Sequence, residues 1–292
     1  MSHEKVSVVV PCFNGEQFLY EALDSVFSQT IQASTKVIVG DDGSTDDSIA
    51  IARSFGSSVH IVFHPDGGNH GLAATRNLIL HEAQGDFIAF LDADDIWLPD
   101  HLKNLVEALE ANPQLAFAVD NGMQFIDGGH DVGDKAHHHR PGIISPDDLL
   151  LDQWFAPSGL VMRRVVLDKI GLFDSSMRYT EDQDLWLRIL ENYPATYIGS
   201  MGYRYRLHGG QLSTSMKLWD GAEKALEKAI ERHPYPHSII RKRRAVIAYR
   251  RSQHNFATGY RLQGLAGIAK AAILDPPRAV KEIINKVKRK KQ

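Results

Sequence analysis

Val6-Ser7-Val8-Val9-Val10-Pro11-Cys12-Phe13-Asn14-Gly15 is a β-branched run that breaks into a short loop. A helical pattern follows at Phe18, Leu19, Ala22, Leu23, Val26 and Phe27, so the segment reads strand, loop, helix. The same events recur downstream. Residues 36–40 form a second apolar run, closed by Asp41-Asp42-Gly43-Ser44-Thr45-Asp46-Asp47, whose Ser and Asp residues suit a turn and a helix N-cap. A helix through Ile49, Ala50 and Phe55, a strand at 59–63, a helix at 70–84 and a strand at 86–91 complete the pattern. Strands this apolar are buried on both faces, and their alternation with helices predicts an α/β fold with a Rossmann-like, mostly parallel sheet flanked by helices. Ligands in such sheets bind beyond the carboxyl ends of the strands, where the acidic clusters at 41–42 and 92–95 fall.

Further along, a helix is expected at 99–112, with Pro99 near its start, and a strand at 115–119. Residues 128–142, with His137-His138-His139, read as a surface loop or hairpin insertion. A short helix at 146–151, a strand at 159–162, a helix at 182–192 and strands at 195–198 and 203–207 complete the body. From Leu218 the pattern is helical and basic, broken at Pro234, Pro236 and Pro276-Pro277. This divides the chain at about 215 into a body, with halves of about 1–120 and 121–215, and a helical C-terminal extension at 216–292.

The 292 residues suffice for one large domain or two, and 43% hydrophobic with 24% charged residues excludes collagen-like, coiled-coil and disordered classes. A single cysteine, Cys12, excludes a disulfide framework and any multi-cysteine zinc module, so a reducing, cytoplasmic setting is the default. No run approaches the ~18 apolar residues of a membrane span, and residues 1–10 carry no signal-peptide pattern. The net charge of −3 conceals a division: residues 1–215 hold 14 Lys and Arg against 30 Asp and Glu, whereas 216–292 hold 19 against 6. An acidic body with a basic tail suits a carboxylate site in the first and contact with anionic surfaces in the second.

Phe90-Leu91-Asp92-Ala93-Asp94-Asp95 ends the fourth strand, where alternation sends Asp92 and Asp94 to the same side. One or two carboxylates so placed suit a hard divalent cation that keeps waters and substrate phosphates in its shell. A solvated acidic turn gives the same short pattern. Asp42 suits an N–H of a nucleobase or a ribose hydroxyl, with Phe13 against the base, but equally an Asx-turn or N-cap.

Five blocks in order decide between these readings. Val6-Ser-Val-Val-Val-Pro-Cys-Phe-Asn-Gly15, Val39-Gly-Asp-Asp-Gly-Ser-Thr-Asp-Asp47, Gly71-Leu-Ala-Ala-Thr-Arg-Asn77, Phe90-Leu-Asp-Ala-Asp-Asp95 and Thr180-Glu-Asp-Gln-Asp-Leu-Trp-Leu-Arg188 resemble the motifs of family 2 glycosyltransferases with the GT-A fold. The resemblance runs from residue 6 to about 213. It implies that Pro11, Phe13 and Asn14 line a nucleotide pocket and that Asp42 contacts the base. Arg76 would lie near the diphosphate or hold a site carboxylate. Asp92 would touch ribose or metal, Asp94 would ligate Mg²⁺ or Mn²⁺, and Asp182 would be the general base. His208, in Tyr203-Arg-Tyr-Arg-Leu-His-Gly-Gly-Gln-Leu-Ser213, falls where relatives place a histidine reaching the metal or diphosphate. Glu181, Trp154, Phe155 and Trp186 are expectations for sugar contacts, although aromatics more often serve a core. Adjacent histidines point in different directions, so His137-His138-His139 is expected to be solvated rather than a metal site.

The implied reaction is an inverting transfer from a nucleotide sugar, expected to be UDP-linked, to a hydroxyl of a glycan or lipid-linked acceptor. No nucleic acid is among the expected partners. Two other classes stay open at this point: a metal-dependent nucleotidyltransferase, which would ordinarily show a Gly-rich phosphate loop after the first strand, and a catalytically silent scaffold of the same fold. In the tail, Arg241-Lys242-Arg243-Arg244, the apolar stretch 262–274, a stripe at Val280, Ile283, Ile284 and Val287, and Lys286-Val-Lys-Arg-Lys-Lys291 suit an anionic membrane surface, with solvated helix faces as the other reading. The corresponding location is cytoplasmic, peripheral on the cytoplasmic face of a membrane.

Overall fold

The β-branched run forms β1 (Val6–Cys12), and all seven of its residues are buried. In the computed structural model, which describes residues 4–128, 130–211 and 216–278, this strand lies at the centre of the parallel half of the sheet. α1 (Leu19–Phe27) leads to β2 (Thr35–Asp41), α2 (Ser48–Ser54) to β3 (Val59–Phe63), and α3 (Leu72–Glu82) to β4 (Phe87–Phe90). β1 pairs in parallel with both β2 and β4, and β3 adds in parallel to β2. Val9 faces one core while Val8 and Val10 face the other, which is why the strand is apolar at every position.

β5 (Ile96–Trp97), α4 (His101–Ala111), β6 (Phe117–Ile126), β7 (His130–Asp134), β8 (Gly142–Ile143), α5 (Pro146–Leu151), β9 (Leu160–Arg163), α6 (Arg164–Ile170), α7 (Glu181–Leu190) and β10 (Thr196–Leu207) follow. The sheet order is β3-β2-β1-β4-β9-β6-β10-β5, with β7 on β6 and β8 on β10. β9 enters antiparallel between β4 and β6, and β6 then runs parallel to β10. The result is an α/β fold with a mostly parallel sheet between helices.

Two expectations are corrected here. The strand read at 115–119 begins at Phe117 and continues to Ile126, because the polar Asp120 and Asn121 are themselves buried in the strand. Asp120 is held by His101, its carboxylate 2.7 Å from Nδ1. The strands read separately at 195–198 and 203–207 are one, β10, interrupted by register shifts next to Gly199, which has φ +81°. The insertion at 128–142 takes the hairpin form, β7 pairing antiparallel with β6.

Tyr203 of β10 is fully buried, and its ring lies against backbone where a Cβ on Gly122 or Gly159 would overlap it. A Cβ on Gly202 would likewise enter the Asp120 carboxylate. The hydroxyl of Tyr203 accepts a hydrogen bond from Ala156 N at 3.2 Å.

α8 (Lys217–Arg232), α9 (His237–Ala257) and α10 (Arg261–Leu274) complete the described chain. Ala222, Leu226 and Ala229 of α8, Tyr235 of the link that follows it and Ile247 of α9 share one core with Trp186 and Leu190 of α7. Their basic residues are partly structural: Arg232 pairs with Asp184 at 3.0 Å and Glu191 at 3.1 Å, and Arg243 donates to Gln183 at 2.9 Å. α10 packs on α9 through Gly264 and Gly267, which lie against Phe256 and Ser252. The stripe at Val280–Val287 and the run Lys286–Lys291 lie outside the described residues.

Candidate active site

The loops that leave β1 and β2 are tied together by side chains. Asn14, in the left-handed region at φ +48°, donates its N–H to Ser44 Oγ at 3.0 Å, and its Oδ1 accepts from Thr45 N at 2.8 Å. Pro11 is buried opposite Gly40, whereas the Phe13 ring beyond it is 51% exposed. Asp41 caps its own turn by accepting from Gly43 and Ser44 N–H groups. The buried Asp42 carboxylate reaches to the entry of α3, accepting from His70 N at 2.7 Å and Gly71 N at 3.0 Å. A carboxylate has about four acceptor positions, so these bonds orient it and leave capacity for a ligand N–H.

α3 carries Arg76, which is 1% exposed. Its Nη2 donates to Asp92 Oδ1 at 2.7 Å, and its Nη1 donates to Glu181 Oε1 at 2.8 Å. One guanidinium thus joins the end of β4 to the start of α7, segments distant in the chain. Of the two roles expected for Arg76, the geometry is that of a holder of site carboxylates. Burial pushes the Glu181 carboxyl up to about 7 against the pull of Arg76, with the Asp182 charge adding to the rise. Glu181 was expected at a sugar; it is instead buried against Arg76, a correction that follows from the cost of leaving an internal guanidinium unpaired.

Asp92, Asp94 and Asp95 leave β4 with different fates. Asp95 turns inward, accepting from Ser158 Oγ at 2.5 Å and Arg206 N at 3.0 Å, and burial together with the Asp94 and Asp92 charges raises it well above the ordinary carboxylate range. Asp94 stays accessible, and its Oδ2 lies 2.9 Å from His208 Nε2. Burial and the neighbouring Asp92 raise Asp94, while His208 opposes the shift. His208 follows β10, which β5 holds antiparallel beside the β4 loop, and its ring packs on Phe18 at 4.8 Å. Among the described residues no three His, Cys, Asp or Glu side chains converge as a complete metal cage. Asp94 with His208, and Asp92 beside them, nonetheless fit Mg²⁺ or Mn²⁺, which takes few protein ligands and fills its shell with water and substrate phosphate.

Asp182 occupies the first turn of α7, where the helix dipole favours a carboxylate. Its Oδ2 accepts from Gln153 Nε2 at 2.5 Å and its Oδ1 from Gln183 N at 2.8 Å. Neither Gln153 nor Lys135 was marked by any motif. Lys135 follows β7 and sets its ammonium 3.8 Å from the centre of the Tyr205 ring, within the electrostatic reach of Asp95, Asp182, Asp152 and Asp92.

The aromatic expectations are corrected. Trp186 is fully buried among Phe90, Phe117 and Phe173, with no ring face left for a sugar. Trp154 is buried as well, stacked on His139 and edged by Phe155 and Tyr197. Phe155 is equally buried. Both tryptophans serve the core that the α7 spacing builds. His137 and His138 are exposed, as expected, while His139 is the residue that covers Trp154.

Comparison with known proteins supports the same reading of the blocks. The family described as Glycosyl transferase family 2 matches residues 7–171, more than half of the chain. Among similar curated proteins, a UDP-Glc:alpha-D-GlcNAc-diphosphoundecaprenol beta-1,3-glucosyltransferase of Escherichia coli, WfgD, is 28% identical over 239 residues, covering 79% of this chain and 90% of its own. An uncharacterized glycosyltransferase of Rickettsia typhi is 26% identical over 243 residues, covering 76% and 73%. The fold is similar to that of S. aureus TarS 1-349 in complex with UDP-GlcNAc, with TM-score 0.69 and 18% identity over 94% of this chain and 82% of the other. It is also similar to the mannosyltransferase PcManGT from Pyrobaculum calidifontis in complex with GDP-Man and Mn2+, with TM-score 0.64 and 18% identity over 98% and 80%. With an ordered set of motifs, a sheet that brings their carboxylates together and a matching family span, the chain belongs to glycosyltransferase family 2 and is a glycosyltransferase of the GT-A fold.

Proposed function

We propose that the protein transfers a sugar, with inversion, from a UDP-linked donor to a hydroxyl of a lipid-linked diphosphate sugar or related glycan. The observation that carries this reading is the Arg76 bridge, which sets the Asp92–Asp94 strand end beside the Glu181–Asp182 helix start. The two relatives from Escherichia coli, WfgD and WfaP, bear the names of enzymes using UDP-Glc and a GlcNAc-diphosphoundecaprenol, which supports the choice of donor and acceptor class.

In this reading Phe13 lies against the base, Asp42 accepts from its N–H, and Pro11 and Asn14 shape the pocket. Asp92 and Asp94, with His208, would hold a divalent ion, which would supply charge neutralisation for the diphosphate. Asp182 takes the proton of the acceptor hydroxyl as that oxygen attacks the anomeric carbon from the face opposite the diphosphate. The bond to the diphosphate breaks, and no covalent enzyme intermediate is needed. Gln153 fixes the orientation of Asp182, and Arg76 keeps Asp92 and Glu181 in place. A panel of nucleotide sugars with Mn²⁺, scored for released nucleoside diphosphate and for thermal stabilisation, tests the reading. Preferential stabilisation by UDP over GDP and CDP is the expected result; no response to any nucleotide sugar would reject it.

We assign membrane contact to the extension beyond about residue 215. No helix among the described residues is long and apolar enough to cross a membrane. α10 instead presents Leu262, Leu265 and Ile273, which are 81%, 58% and 78% exposed, on one stripe with Ala269, flanked by Arg261 and Lys270. Such a face suits the interface of an anionic, cytoplasmic leaflet, where each nearby cation adds about 1 kcal/mol. Because α8 and α9 close the core, the test substitutes α10 rather than removing the tail. Leu262→Asp with Ile273→Asp is expected to lower co-flotation with anionic liposomes severalfold, and undiminished flotation would dismiss α10 as the contact.

A further inference from the structure

Lys135 is a cation in the cleft that the functional reading leaves without a task. It is partly buried, yet among the described residues its ammonium makes no ion pair and no hydrogen bond, although three N–H donors are available. What holds it is the face of Tyr205, 3.8 Å from ring centre to Nζ, on the strand that also leads to His208. Around it stand Asp95, Asp182, Asp152 and Asp92, near enough to act on its charge but not bonded to it. Burial holds its pKa below the ordinary lysine value, against the pull of those four carboxylates. Two arginines there are committed: Arg76 to Asp92 and Glu181, Arg206 to Glu21 and Asp127.

An ammonium poised over a ring, within the field of the strand-end carboxylates and Asp182, has the placement of a group whose partner arrives with the substrate. A cleft lined by Asp92, Asp94 and Asp182 repels a polyanion unless cations are ready to receive it. We propose that Lys135 is a diphosphate-binding residue, its Nζ donating to phosphate oxygens that enter between Asp92 and Asp182. The inference rests on the glycosyl-transfer reading, in which two substrates carry that chemistry: the nucleotide donor, whose diphosphate leaves, and a lipid-linked acceptor, whose diphosphate stays. In the first case Lys135 faces charge that grows during the reaction, and in the second it fixes the register of the acceptor sugar.

The test compares full-length wild type with Lys135→Gln, which keeps a stem over Tyr205, and Lys135→Arg, which keeps the charge, after matched thermal melts. One arm measures UDP and UMP binding with Mn²⁺. The other measures KM and kcat for an alkyl-linked sugar 1-diphosphate and for the alkyl glycoside lacking the diphosphate. A charged hydrogen bond lost from the donor side should weaken UDP roughly tenfold or more in Lys135→Gln while UMP changes little, with Arg restoring most of the loss. If the acceptor is the source, UDP binding holds and KM rises by the same factor for the diphosphate acceptor alone. Equal UDP affinity and equal KM in wild type and Lys135→Gln would overturn the proposal and leave glycosyl transfer standing. A wild type that binds no nucleoside diphosphate would overturn both.

Discussion

Asp182→Asn is expected to lower turnover by roughly 10² to 10⁴, the range of a positioned general base, while UDP affinity stays within about twofold of wild type. The substitution is nearly isosteric, and an amide oxygen can still accept from Gln183 N, so the start of α7 should hold its shape. What is lost is the capacity to take a proton. Glu181 does not replace it, since its carboxyl is buried and bonded to Arg76. Released UDP counted against the acceptor, with calorimetric UDP binding as the control, gives both quantities. An Asp182→Asn enzyme turning over at the wild-type rate would remove the base from Asp182.

The second large effect is expected from Asp94→Ala, which should weaken Mn²⁺-dependent UDP binding by roughly 100-fold or more. That exceeds the 10- to 100-fold typical of residues that only support a metal ligand. Asp94 is the strand-end carboxylate that is both accessible and in contact with His208, whereas Asp92 is held by Arg76 and Asp95 is turned inward. Neither neighbour can swing into its place without breaking those bonds. His208→Ala should show a smaller loss of the same kind. The discriminating measurement is a Mn²⁺ titration of UDP affinity, with a chelator as the baseline. If Asp94→Ala kept the wild-type dependence on Mn²⁺, the metal assignment would fall with it.

The parallel half of the fold was legible because it is built from local signals. β1, β2, β3 and β4 are short apolar runs bounded by Gly, Asp and Ser, and each following helix carries its own periodicity. The second half was legible only in pieces. β6 hides a buried Asp120 that looks like a strand end until His101 is placed beside it, and β10 carries a glycine bulge that looks like a loop. In the site, Asp92, Asp94 and Asp182 stood out through their order along the chain. Gln153 and Lys135 did not, since a single side chain arriving from a hairpin or a loop leaves no periodic trace. Trp186 shows the converse error: an aromatic next to an active-site motif lies on the inward face of α7 and belongs to the core.

The seat of Tyr203 has a consequence for how such an enzyme can diverge. Residues 122 and 159 can carry nothing larger than hydrogen while the phenol stays, and position 202 is under the same limit from Asp120. These three points pack β6, β10 and the turn before β9 against one another, so they admit one solution. The rim is under no such restriction: Lys135 and Gln153 stand on a hairpin and a connecting segment that can lengthen or change composition above an unaltered base. Substrate preference is therefore free to drift in the upper storey of the molecule while its foundations stay put.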